Sequence, residues 1–205
     1  VCAGASGGPP TSGAALVFDG TCIANGNNCS PTGIPGGPFT YTGLHMKSTY
    51  TGTLAFGASS VTVNGNFLLD GGTYTKTTAN LTATHFKMTG GTFDGGSGSI
   101  AFGTGNTHVV TMSGGNFTST SGMLTFIGDT FNLTGLASFA HGSGSITLQA
   151  PSNNMWITPS GFTFNNLTMK ACNRTLTLNG PVTLDGNMTK TVSGGGGCTT
   201  TLTGN

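Results

Sequence analysis

From Phe39 onward, apolar positions alternate with Thr, Ser or Asn instead of recurring every three or four residues. Examples are Phe39-Thr40-Tyr41-Thr42, Val61-Thr62-Val63-Asn64 and Leu176-Thr177-Leu178-Asn179. A period of two is that of strands with one buried face. No segment offers a run of good helix formers, so almost no helix is expected.

Within Leu69 to Leu148 the pattern is written four times. Leu69-Asp70-Gly71-Gly72-Thr73-Tyr74 returns as Met88-Thr89-Gly90-Gly91-Thr92-Phe93 and as Met112-Ser113-Gly114-Gly115-Asn116-Phe117. A weaker copy is Leu133-Thr134-Gly135-Leu136-Ala137-Ser138-Phe139. Each copy is followed by an alternating strand around Leu81, Ile100, Leu124 or Ile146, offset by 12, 12, 12 and 13 residues. Successive units begin 19, 24 and 21 residues apart.

Self-similarity at this period marks a stacked repeat, because one unit cannot bury its apolar row alone. Each unit has room for two short strands joined by Gly-rich corners. The Gly-Gly pairs read as corners, and Tyr74, Phe93, Phe117 and Phe139 as a stacked aromatic column. The expected fold is all-β: a β-solenoid, parallel β-helix-like, of about 20-residue coils with irregular Cys-bearing ends. The alternative is an antiparallel β-sandwich, whose short strands also recur every 8 to 12 residues or so, and the uneven unit spacing keeps it open.

The chain divides into three parts. Residues 1–38 are rich in Gly and Pro and read as an N-terminal cap or arm with a small Cys22–Cys29 loop; 39–193 form the repetitive domain. Residues 194–205 are a Gly hinge followed by a Thr-rich terminal strand.

Composition narrows the function. Of 205 residues, 37 are Gly and only 5% are charged, with no Glu and a net charge of +1. That gives no electrostatic case for nucleic acid. No stretch approaches the roughly 20 apolar residues of a membrane span. A neutral Thr/Ser/Asn surface favours association. The cysteines, Cys2, Cys22, Cys29, Cys172 and Cys198, are odd in number and lie outside the repeat block. This suits disulfide staples at the ends, one thiol left for an intermolecular bond, and an oxidising extracellular location. Seven sequons, at Asn28, Asn80, Asn116, Asn132, Asn166, Asn173 and Asn187, offer glycosylation sites.

Signs of catalysis are weak. Asp70 and Asp94 sit in corner regions of neighbouring units, where Asp beside Gly reads as a turn residue. His45, His85, His108 and His141 are widely separated and match no zinc spacing. Gly95-Gly96-Ser97-Gly98 lacks the Lys and the helix of a phosphate loop. No enzyme activity, cofactor or metal is expected.

Phe164-Asn165-Asn166-Leu167-Thr168-Met169, followed by Leu176-Thr177-Leu178-Asn179-Gly180, resembles the repeats of large secreted bacterial and archaeal surface proteins. These are the adhesin, autotransporter-passenger and sheath-like β-solenoids. The resemblance covers roughly residues 59 to 190 and carries no catalytic residues. It implies an extracellular structural or adhesive role. The short length and the cysteines depart from the giant members and point to an assembling subunit.

The expected function is therefore a subunit of an extracellular filament, sheath or surface layer. It would partner copies of itself through strand addition and intersubunit disulfides. The alternative is an adhesin or an ice- or carbohydrate-binding solenoid that meets surface glycans or ordered water. Thr-x-Thr pairs such as Thr40/Thr42, Thr73/Thr75 and Thr82/Thr84 motivate it, although their spacing is irregular.

Overall fold

The structure is a computed structural model and describes residues 12–23, 37–104, 109–150, 154–171, 173–191 and 200–204. It is a β-solenoid of about seven turns with coils of roughly 21 residues. Every strand pairing among the described residues is parallel, which removes the antiparallel sandwich. The only helical element there is the short 3₁₀ turn Gly20–Ile23.

Each coil crosses three faces, one more than the two strands expected per unit. Face A stacks Phe39–Tyr41, the first half of Val61–Leu69, the first half of Leu81–Met88, Ile100–Phe102, Met123–Ile127, Ser145–Ala150, Asn166–Ala171 and Met188–Thr191. Face B begins with Ala15–Phe18 and Gly43–Met46 and takes the second halves of the two long strands. It continues through Val109–Met112, Thr130–Asn132, Met155–Thr158 and Arg174–Leu178 to Thr200–Gly204. Face C is built from the three-residue strands Thr53–Ala55, Thr73–Thr75, Thr92–Asp94, Asn116–Thr118 and Ser138–Ala140. Thr163–Phe164 and Thr183–Leu184 pair separately nearer the C-terminal end.

The third face escapes a periodicity reading because a three-residue strand is too short to show alternation. In face C the central residue alone points inward: Leu54, Tyr74, Phe93 and Phe117 are buried, and their neighbours are only partly covered or exposed. The expected aromatic column is therefore real, with Tyr74, Phe93, Phe117 and Phe139 in direct register. The long strand Leu81–Met88 shows how A joins B. Leu81, Ala83, Phe86 and Met88 are all buried, and the three-residue step from Ala83 to Phe86 marks the corner.

The coil length is constant on one side and variable on the other. From the face C residue to the next face A residue is always 7 residues: Leu54 to Val61, Tyr74 to Leu81, Phe93 to Ile100, Phe117 to Leu124 and Phe139 to Ile146. From face B to C is 5 residues at Leu69–Tyr74, Met88–Phe93 and Met112–Phe117. Together these explain the offset of 12 in the first three units, and a B-to-C span of 6 residues from Leu133 to Phe139 explains the 13 of the fourth. The A-to-B corner absorbs the variation, with 3, 8, 5 and 9 residues from Ala83 to Phe86, Phe102 to Val110, Phe126 to Phe131 and Leu148 to Ile157.

The B-to-C corner is tight because backbones stack directly. The Asn116 amide donates to the Gly91 carbonyl at 3.0 Å, and the Thr92 amide to the Gly72 carbonyl at 2.8 Å. Gly91 has φ +71°, and a Cβ there would lie 2.7 Å from the Gly72 carbonyl oxygen. Both facts demand glycine.

Candidate functional site

The residues singled out by sequence fall into three groups. Cys2, Cys29, Cys172 and Cys198 lie outside the described residues, as does the side chain of Cys22 in the Gly20–Ile23 turn. Asn28 and His108 lie outside them too. Segment 1–38 contributes Ala15–Phe18 as the first rung of face B, and segment 194–205 contributes Thr200–Gly204 as its last, paired with this same chain.

The sequon asparagines sit at strand ends and corners. Asn80, Asn116, Asn173 and Asn187 are exposed, and Asn132 and Asn166 are half-buried. Several bind the neighbouring coil through the side-chain oxygen. Asn80 Oδ1 accepts from the Ser99 amide at 3.2 Å, and Asn166 Oδ1 from the Asn187 amide at 3.0 Å. Asn116 Oδ1 accepts from the Ser138 hydroxyl at 2.8 Å. Asn132 instead caps its own turn through the Thr134 amide at 2.8 Å.

Asp19, Asp70, Asp94 and Asp185 each accept a hydrogen bond or form an ion pair. Asp19 accepts from the Thr21 hydroxyl and lies 3.6 Å from Lys47 Nζ. Asp94 accepts from the Gly96 amide at 3.1 Å, the turn role expected of it. Asp70 stands at the B-to-C corner, 2.8 Å from His45 Nε2, and accepts from the Thr89 hydroxyl. Partial burial pushes its pKa up, but the bonds from Thr89 and His45 outweigh this and hold the carboxyl below its usual range. Asp185 lies 3.2 Å from His141 Nε2, and the Ser143 amide donates to His141 Nδ1 at 2.9 Å. That bond places the neutral ring's proton on Nε2, where it donates to Asp185. The His45–Asp70 pair ties neighbouring coils, and the His141–Asp185 pair reaches across two coil steps. Among the described residues no three His, Cys, Asp or Glu group as a metal site.

Lys76 is one of the six basic residues of the sequence. Its side chain is only 1% exposed and donates to the carbonyls of Gly57 and Ser59 one coil below. Burial lowers its pKa.

The outward surfaces differ sharply in chemistry. Down the centre of face A the register aligns Thr40, Thr62, Thr82, Ala101, Thr125, Thr147, Thr168 and Thr189. Seven of eight rungs carry Thr. Face B, made from the same composition, aligns Val17, His45, Leu68, Lys87, Thr111, Asn132 and Thr158 in one outward column. Trp156, 48% exposed, stands in its other column.

The two ends also differ. Leu16, Phe18, Phe39 and Tyr41 near the N-terminal end are at most 8% exposed. In the last coil the inward row opens to solvent. Met188 is in register with the buried Leu167 yet is 43% exposed, and Lys190, in register with Met169, is exposed. Among the described residues no helix is long and apolar enough to cross a membrane. Comparison of the chain with family models, curated proteins and solved structures finds no match.

Proposed function

We propose that this chain is a structural subunit of an extracellular filament, sheath or surface layer, built into the assembly through its C-terminal coil. The open inward row at Met188 carries this reading. Among the described residues the strand Met188–Thr191 is paired on one side only, to Asn166–Ala171, which leaves its other edge to offer a line of main-chain donors and acceptors. Adding a strand from a neighbouring copy would satisfy that edge and cover Met188.

Among the described residues both ends carry strands paired on one side only, but the inward row is buried at the N-terminal end and exposed at Met188, so the two ends are unlike. A head-to-tail contact between unlike ends propagates instead of closing. Lys190 in the open row guards the edge against indiscriminate pairing, since an inward-pointing charge must find a partner before a strand can dock. Cys2, Cys22, Cys29, Cys172 and Cys198 are the candidates for locking the joint, and disulfides there would need an oxidising extracellular setting. Exposed sequon asparagines such as Asn80 and Asn187 are available to carry glycans there.

Negative-stain electron microscopy of the protein with and without reductant tests this. Regular filaments or sheets are expected, and their loss in reductant would assign the cysteines to the joints. Dispersed monomers in both conditions would overturn the proposal. Met188→Lys should reduce polymer length and leave the circular dichroism of the coil unchanged.

A further inference from the structure

We propose that face A is a binding surface for ice. The argument is independent of assembly and rests on the outward chemistry of this one face.

The central column runs through all eight strands of face A, with Thr at every rung except Ala101. Strand separation sets the rungs about 4.8 Å apart, so the column is roughly 33 Å long. Thr is stiff at χ1 because it is β-branched, so each rung presents its methyl and hydroxyl in a restricted orientation. A rigid array loses little side-chain entropy on meeting a surface. Neither flank breaks the neutrality with more than one charge. On one side Met123, Ser145 and Asn166 are in register; on the other Ile127, Gln149, Lys170 and Thr191.

A second observation separates this from the general abundance of Thr in strands. Face B has strands of similar length, in the same parallel register, yet its outward columns hold His45, Leu68, His85, Lys87 and Trp156. Its sequence obeys the same fold constraints without becoming uniform. Face C holds a shorter run, Thr53, Thr73 and Thr92, which gives way to Asn116 and Ser138, so the longest threonine column among the described residues is that of face A.

The chemistry selects the occupant. A macromolecular anion or cation would need complementary charge, and these columns offer only Lys170. A crystalline polysaccharide presents apolar sugar faces that pack on exposed aromatic rings. The outward columns of face A contain none, and Trp156 stands on face B. An ice surface is neutral, flat and periodic. Hydroxyls at a fixed repeat can replace waters at lattice positions while the methyls fill the spaces between. The longest uninterrupted run, Thr125, Thr147, Thr168 and Thr189, is the strongest part of the surface.

The test measures ice recrystallisation inhibition and thermal hysteresis for the full chain and three variants, with folding followed by circular dichroism. Thr147→Tyr, at the centre of face A, should abolish the effect. Thr111→Tyr, outward on face B, should leave it intact. Ala101→Thr completes the ladder and should lower the concentration needed, which keeps the test decisive even if Thr147→Tyr fails to fold. Absence of any effect in the parent protein would overturn the proposal. So would equal losses in the two Tyr variants, or retention on crystalline cellulose or chitin without an effect on ice. Because every readout is of ice growth by dispersed protein, failure here leaves the assembly reading standing, and filament loss in reductant leaves this one standing.

Discussion

Phe93 and Phe117 lie one coil apart with ring centroids separated by 4.7 Å and planes only 4° from parallel. Tyr74 continues the stack below at 5.3 Å, and Phe139 above at 5.8 Å. Phe86 and Phe102, from faces B and A, stack beside it at 4.0 Å. Parallel register forces this: identical positions in successive coils are neighbours in space, so one aromatic per unit becomes a column. Phe117→Ala removes a fully buried rung and should cost about 3–5 kcal/mol. Phe139→Ala, at a half-buried rung, should cost less. Urea unfolding midpoints would rank the two.

The corner glycines make a contrasting pair. Gly91 combines φ +71° with a carbonyl oxygen 2.7 Å from where a Cβ would stand. Gly161 has φ +75° and open space around it. Gly161→Ala should therefore cost only the backbone term, about 1–2 kcal/mol. Gly91→Ala must also push two coils apart and should lower the melting temperature much further, or prevent folding. Thermal melts followed by circular dichroism distinguish the two.

Asp70 gives the coil an acid limit. Its folded pKa lies below the unfolded value of about 3.9. The unfolded state therefore binds the proton first, and the stabilisation from Asp70 is complete above that value and lost as pH falls through the folded pKa. Asp70→Asn should flatten that part of the acid stability profile. Thr89→Ala, which removes one of the two bonds, should raise the Asp70 titration midpoint when followed by NMR.

Lys76 acts at the other end of the scale, with the opposite structural meaning. Burial lowers its folded pKa below the ordinary value of about 10.4. Between those two values the unfolded chain holds more protons, so stability rises with pH through that window. Lys76→Met should abolish this alkaline gain. Chemical denaturation at a series of pH values up to the ordinary lysine range would measure it.

Much of the architecture was legible because corner and column residues are chemically distinctive. Gly-Gly followed by an aromatic identified Leu69, Met88 and Met112 as equivalent, and the structure pairs Leu69 with Met88 and Met88 with Met112. The threonine ladder was not legible. Its members are one coil apart, and only the register reveals that Thr125, Thr147 and Thr168 are adjacent. Thr-x-Thr pairs within single strands do not reveal it: Thr40/Thr42 and Thr82/Thr84 start on face A, whereas Thr73/Thr75 is on face C. The His141–Asp185 pair, 44 residues apart, was equally hidden, since neither residue marks a repeat. The burial of Lys76 was hidden too, because the chain around it, Thr75 to Thr78, is wholly polar.

The uneven A-to-B corner has a consequence for how such a molecule can change. The C-to-A span holds at 7 residues from Leu54–Val61 to Phe139–Ile146, and the B-to-C span changes by a single residue between Met112–Phe117 and Leu133–Phe139. At the A-to-B corner, spans of 3 to 9 residues already coexist in one chain. That edge works as a row of independent sockets, each one strand-width above the last. New segments can be grafted there one coil at a time, giving a ruler on which different peptides are displayed at a spacing of about 4.8 Å per step.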